Sequence, residues 1–242
     1  MKKLLLLSIL TICHCMVFSQ APKSKLTLHG QSVIKDAEGT VYPSAIWSKL
    51  LETGDYSLRP EDPNDANTAF ILFKLTEKEK SIRNGKSPRP PESSFFTTGK
   101  EFGRFKTTDM YGKSWNIKEL KGKIIVFNFW FINCSPCRSE IPHLNKLVDH
   151  YKEDKDVVFL AVALDEKSEI ESFLKQIPFT YTIVDNGRWL AQNYGITSFP
   201  TNVVVDKEGI VRFHATGYST SLPYWIEKTI EEIKTGASHQ PK

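Results

Sequence analysis

The chain is poor in cysteine: four in 242 residues, at positions 13, 15, 134 and 137. No second CxxC is present, and no cluster of cysteine and histidine surrounds the first, so a structural zinc site would lack ligands. No basic block stands out beyond the proline-rich stretch Arg83–Arg89, and the formal net charge is only +4. That balance gives no electrostatic case for nucleic acid. Internal repeats are absent. No apolar run is long enough to span a membrane comfortably, which takes about 20 residues. The longest apolar stretch, Leu4–Phe18, follows Lys2 and Lys3 and ends in small or polar residues. It reads as a signal peptide, residues 1–19, cleaved near Ser19–Gln20, with Val17 and Ser19 suiting the positions before the cut. An uncleaved anchor and lipid attachment at Cys13 or Cys15 are the alternatives. The mature chain is then expected in the periplasm or cell envelope, with no transmembrane span.

Removing the leader leaves two cysteines, and they are neighbours: NFWFINCSPCRSEIP, residues 128–142. An exported protein sees conditions where a disulfide persists, and no third thiol remains to scramble with this pair. A redox couple is the leading reading of Cys134 and Cys137. An inert disulfide stapling a turn remains open as the bland one.

Two textures divide the mature chain. Residues 20–98 are polar and punctuated, and read as an N-terminal α+β extension. A short helix is expected over Ser44–Glu52 and a strand over residues 68–76. A linker is expected near 83–98, where prolines 88, 90 and 91 discourage helix and ladder alike. Residues 99–242 are regular. KIIVFNFWF and DVVFLAVAL barely alternate, as strands buried on both faces do. Apolar residues at 141, 144, 147, 148 and 151 predict a helix over Ser135–Tyr151. Further helices are expected over Ser168–Gln176, capped by Ser168, over Arg188–Tyr194, and after a cap at Ser221. NVVVDKEGIVRFH reads as a hairpin turning at Lys207–Gly209. Alternating strands and helices ending in a hairpin and a helix imply an α/β sheet with helices on both faces.

Cys134 falls where a strand ends and a helix begins. The unpaired N–H groups and partial positive charge of a helix start favour a thiolate, and only the thiolate attacks disulfides. Pro136 suits the first turn, where its missing N–H is not needed. The spacing makes Cys134 the exposed attacking nucleophile and Cys137 the more buried resolving thiol.

Residues 99–242 resemble the thioredoxin superfamily, and specifically the exported TlpA/ResA-like thiol–disulfide oxidoreductases. The resemblance rests on FNFWFINCSPC at a strand–helix junction, on Pro142 five residues after Cys137, on CRSEIP with Glu140, and on YGITSFPTNVVVDKEG. It implies a thioredoxin-like fold, a central mixed sheet flanked by helices. It also implies a cis peptide at Pro200 that sets Phe199 and Thr201 beside Cys134, where their backbone groups meet an extended substrate. Two positions depart from thioredoxins. Asn133 replaces the tryptophan before the first cysteine and bears on the partner surface. Asn128 replaces the buried acid six residues before it, and Glu140, on nearly the same helix face as Cys137, is the expected substitute acid/base.

The implied function is exchange with protein thiol/disulfide substrates, as a reductase in the cell envelope recharged by a membrane electron donor. No cofactor or metal is expected. Apocytochrome thiols are a substrate suggested by the resemblance alone. The alternatives are a peroxiredoxin-like peroxidase, which wants a Thr or Ser shortly before its cysteine and an Arg across the site, and a copper-binding chaperone using a distant histidine such as His214. A binding module with a vestigial CxxC is a fourth reading. The extension receives no activity.

Overall fold

The computed structural model describes residues 32–65 and 67–236, together with Leu28. The expected leader and its cleavage site lie outside the described residues. The chain divides into two compact units. One runs through Trp47 and takes in Leu58–Phe73; the other comprises Ser48–Ser57 and Lys74–Lys242.

In chain order the first elements are β1 (Ile34–Lys35), α1 (Ser44–Glu52), β2 (Tyr56–Pro60) and β3 (Phe70–Lys74). The three strands form a small sheet in the order β1-β3-β2, with β1 and β3 parallel. Helix α1 has the expected limits. β3 lies within the predicted strand, its Phe70 and Leu72 buried and its Ile71 and Phe73 half-buried.

Next comes α2 (Glu77–Lys86), which overlaps the expected linker. The reason is local. Thr76 and Glu79 form a capping box: Glu79 accepts from the Thr76 N–H, and the Thr76 hydroxyl accepts from the Glu79 N–H. The helix has no buried residue, so apolar periodicity does not announce it. The prolines act only beyond Ser87. The rest of the stretch is not a free spacer either. Residues 91–101 run along one edge of the main sheet, with Thr216 N–H donating to Pro91 C=O and Gly99 N–H to Val211 C=O. An edge strand so covered cannot template pairing with another chain.

The remaining elements are β4 (Lys106–Thr108), β5 (Ser114–Asn116), β6 (Ile124–Trp130), α3 (Ser135–Tyr151), β7 (Val157–Ala163), α4 (Lys167–Leu174), β8 (Thr182–Val184), α5 (Arg188–Asn193), β9 (Thr201–Val205), β10 (Val211–Thr216) and α6 (Leu222–Thr235). Five strands form the central sheet in the order β10-β9-β6-β7-β8. β6, β7 and β8 are parallel; β9 and β10 are antiparallel to their neighbours. All seven residues of β6 are buried, so the lack of alternation means what it predicted. Its two faces feed two cores. Ile124, Val126 and Trp130 pack with α3, α4 and α6; Ile125, Phe127 and Phe129 pack with α5 and with Phe102, Phe105 and Trp115.

Two expected caps differ. Helix α4 starts at Lys167 with Glu166 as its cap, because Glu169 accepts from the Glu166 N–H and this sets the cap two residues earlier than Ser168. Ser221 stands at the start of α6, but its hydroxyl pairs with that of Ser219 rather than the helix N–H groups.

The loop before α5 is fixed by close approach. A Cβ on Gly187 would lie 2.3 Å from Val162 Cγ1 and 2.9 Å from the Ala163 carbonyl oxygen. Gly187→Ala is therefore expected to cost about 2 kcal/mol by overpacking. Urea unfolding of the two proteins measures it; an unchanged midpoint would contradict the packing described.

Candidate active site

Cys134 is the N-cap of α3, four residues past the last residue of β6. Its Sγ accepts from the Cys137 N–H at 3.2 Å, and the Arg138 N–H donates to its carbonyl at 3.0 Å. Pro136 sits in the first turn as expected. Cys134 and Cys137 are joined by a disulfide, with Cα atoms 5.2 Å apart. Both are buried, at 4 % and 1 % exposure. The exposed position expected for Cys134 is thus not found in the disulfide form. Its sulfur turns back over the first helical turn to meet Cys137, and Phe131, Ile132 and Phe199 pack against the same core.

Asn133, beside it, is exposed. The Phe199–Pro200 peptide is cis. The ring of Phe199 lies 5.5 Å from that of Phe131, edge to face, three residues before Cys134. Among the described residues neither the N–H nor the C=O of Phe199 has a hydrogen-bond partner, whereas the Pro200 carbonyl accepts from Gly217 N–H at 2.9 Å. Thr201 is fully buried, in register with Phe129 and Thr216, and its hydroxyl donates to the Ser198 carbonyl at 2.7 Å. Its side chain braces the proline loop from inside the sheet.

Glu140 lies one turn beyond Cys137 at 1 % exposure. Asn128 Nδ2 donates to its Oε1 at 2.6 Å, and Asn202 Nδ2 stands 3.3 Å from both carboxyl oxygens. Asn128 also donates to Asn202 Oδ1 at 3.0 Å. The position that lost its acid and the helix position that gained one are therefore hydrogen-bonded neighbours. Burial pushes the Glu140 carboxyl up to about 8; the amides of Asn202 and Asn128 pull it down by less. Asn202 was not singled out from the sequence. The signal was present in part: NVVV is an amide heading an apolar strand, and the pairing of β9 with β6 sets it opposite Asn128.

No group of three or more metal-ligating side chains is gathered among the described residues. His214 is held elsewhere, buried on β10 with its Nδ1 accepting from the Ser93 N–H at 3.1 Å. A cavity of about 660 Å³ opens between α2, α3 and α6, lined by Lys80, Arg83, His143, Lys146 and Tyr224 among others, and neither cysteine reaches it. No helix of the described residues is long and apolar enough to cross a membrane.

The AhpC/TSA family model matches residues 98–214. The thiol–disulfide oxidoreductase ResA of Bacillus thuringiensis subsp. konkukian is 36% identical over 124 residues, covering 50% of this chain and 71% of that protein. ResA of Halalkalibacterium halodurans is 30% identical over 148 residues, covering 60% and 82%. The chain belongs to the ResA-like thiol–disulfide oxidoreductases. Two solved structures share the fold. A putative thiol:disulfide interchange protein DsbE from Chlorobium tepidum superposes with a TM-score of 0.52 at 24% identity, over 57% of this chain and 98% of that one. A putative protein disulfide isomerase from Bacteroides thetaiotaomicron does so at 0.54 and 21%, over 61% and 96%. The thioredoxin-like fold and the oxidoreductase activity expected from the sequence thus stand, and this ResA-like enzyme carries a CxxC pair at the start of α3.

A buried acid leaves a signature in stability. Unfolded, a glutamate titrates near 4.5; here it titrates at about 8. Between these values the folded state keeps a proton that the unfolded chain has released. Stability from this group is full below about pH 4.5 and is lost as pH rises through about 8. Denaturant unfolding across that window is expected to show the decline, and Glu140→Gln to flatten it. A parallel decline in both proteins would place the titration elsewhere.

Proposed function

We propose that Cys134 and Cys137 are the redox centre of this enzyme and that it reduces protein disulfides. The observation that carries the reading is the closed Cys134–Cys137 disulfide at the N-terminus of α3, above the buried Glu140. In the reduced protein the Cys134 thiolate, favoured by the helix start, attacks one sulfur of a substrate disulfide. A mixed disulfide forms and the other substrate sulfur leaves as a thiol. The Cys137 thiolate then attacks Cys134 Sγ, the internal disulfide closes, and the second substrate sulfur leaves. Two electrons pass to the substrate. Glu140 takes the proton from Cys137 for the second step; Asn128 and Asn202 hold its carboxyl. The unpaired backbone groups of Phe199, beside cis-Pro200, are suited to an extended substrate segment. Asn133 lies on the rim that such a segment crosses.

The oxidised pair must be reduced again by a dithiol donor. A membrane electron donor in the cell envelope is consistent with the basic and apolar start of the sequence and with the exported reading. Residues 20–98 are proposed as an extension to the thioredoxin-like part. A peroxidase reading draws on the AhpC/TSA match, but FIN before Cys134 supplies no Thr or Ser there. Failure of the reduced protein to consume hydrogen peroxide would separate the two.

Disulfide reduction in insulin, driven by dithiothreitol, tests the assignment. Cys134→Ser is expected to abolish the rate, and Cys137→Ser to accumulate the mixed disulfide, visible by mass. Reversal of the two phenotypes would interchange the roles. The resolving step should quicken as pH rises towards about 8 in the wild type and lose that dependence in Glu140→Gln.

A further inference from the structure

Trp189 is 52 % exposed, although the next two residues of α5, Leu190 and Ala191, are each only 2 % exposed. The indole therefore turns out of the core at the start of a short helix. That start is braced to the cysteine loop. Asp165, just past the end of β7, accepts from the Ile132 N–H through Oδ2 at 2.7 Å, and Ile132 is two residues before Cys134. The carbonyl of the same Asp165 accepts from the Asn186 N–H at 2.9 Å. Asn186 takes a left-handed conformation, φ 52°, and Gly187 N–H then donates to the Ala163 carbonyl at 2.7 Å. Because β6, β7 and β8 are parallel, the loops that follow them leave the same end of the sheet. One aspartate thus ties the approach to Cys134 and the approach to Trp189 together.

The rim nearest the cysteines is apolar but half-buried: Phe131, Ile132 and Phe199. Asn133 is exposed and polar. Trp189 is the large exposed ring linked to this rim, and an exposed indole with one polar N–H is the kind of side chain that anchors a partner.

We propose that Trp189 is a specificity residue that docks an apolar side chain of the substrate segment being exchanged at Cys134. The proposal rests on the assignment of Cys134 as nucleophile. The occupant is an extended, cysteine-containing stretch of a protein substrate. The strands that lead to the two ends, β6 and β8, are two neighbour spacings apart, roughly 10 Å at about 4.8 Å each, which about three extended residues span at ~3.3 Å each. The favoured substrate carries leucine, phenylalanine or a similar side chain about that far from its reactive cysteine. Asp165 is a positioning residue: it holds the two loops in register without touching substrate.

The test uses reduced full-length protein in single-turnover reactions with two peptides. Each carries one cysteine as a mixed disulfide with thionitrobenzoate, and they differ only in leucine or serine about three residues away. Release of the coloured thiol gives the rate. In the exchange, Cys134 bonds to the peptide sulfur and thionitrobenzoate leaves; Cys137 then frees the peptide thiol and the protein ends as the disulfide. The wild type is expected to prefer the leucine peptide by about tenfold. Trp189→Ala is expected to bring the ratio to near one and Trp189→Phe to retain most of it. Ile82→Ser, an exposed apolar residue on α2, should leave the preference intact. A preference that survives in Trp189→Ala, or a wild type with none, overturns the docking role while exchange stands. Concentration-dependent dimerisation lost in Trp189→Ala, with peptide preference unchanged, overturns it in favour of a second copy as occupant. A wild type that releases nothing from either peptide overturns the assignment of Cys134 itself, and the docking role with it.

Discussion

A carboxyl group kept almost wholly from water underlies the active end of this protein. Glu140 on α3 meets Asn128 on β6 and Asn202 on β9, so one acid joins the cysteine-bearing helix to the central strand and to the strand after cis-Pro200. Burying a charge unpaired is costly, and the molecule meets that cost with two amides and a raised proton affinity. The helix that carries Glu140 starts at Cys134, which caps its first turn. In the proposed mechanism scaffold and chemistry share these three side chains, so a change in one of them acts on both.

The loops at the end of the parallel strands obey a second constraint, close backbone approach. Gly187 fits only because it has no Cβ, and Asp165 bonds to both neighbouring loops. At the opposite edge of the sheet, residues 91–101 cover β10, with His214 accepting from the Ser93 N–H beneath them. The sheet therefore presents no bare strand on that side, and the segment after α2 serves the fold that follows it.

How much of this was legible depended on the range of the forces involved. The limits of α1 and α3 follow from turn residues and apolar spacing, which act within a few residues. The cis bond at Pro200 and the acid role expected of Glu140 came through resemblance in residues around them, not through periodicity. Helix α2 escaped because EKEKSIRNGK buries no residue and is announced only by its capping box. Asn202 escaped because its partners Glu140 and Asn128 are 62 and 74 residues away in sequence, and only helix packing and strand register bring them together. The burial of Cys134 and of Thr201 depends on packing from several elements, which spacing along one helix or strand cannot express.

The central claim is that Cys134 and Cys137 form a reversible two-electron couple poised for reduction of substrates. The equilibrium reduction potential of the protein, measured against glutathione and dithiothreitol buffers, tests it most directly. One couple at or below about −230 mV is expected, the range of a reductase that needs a donor. A value near about −120 mV would reverse the direction of exchange, and the absence of any reversible couple would contradict the redox assignment altogether.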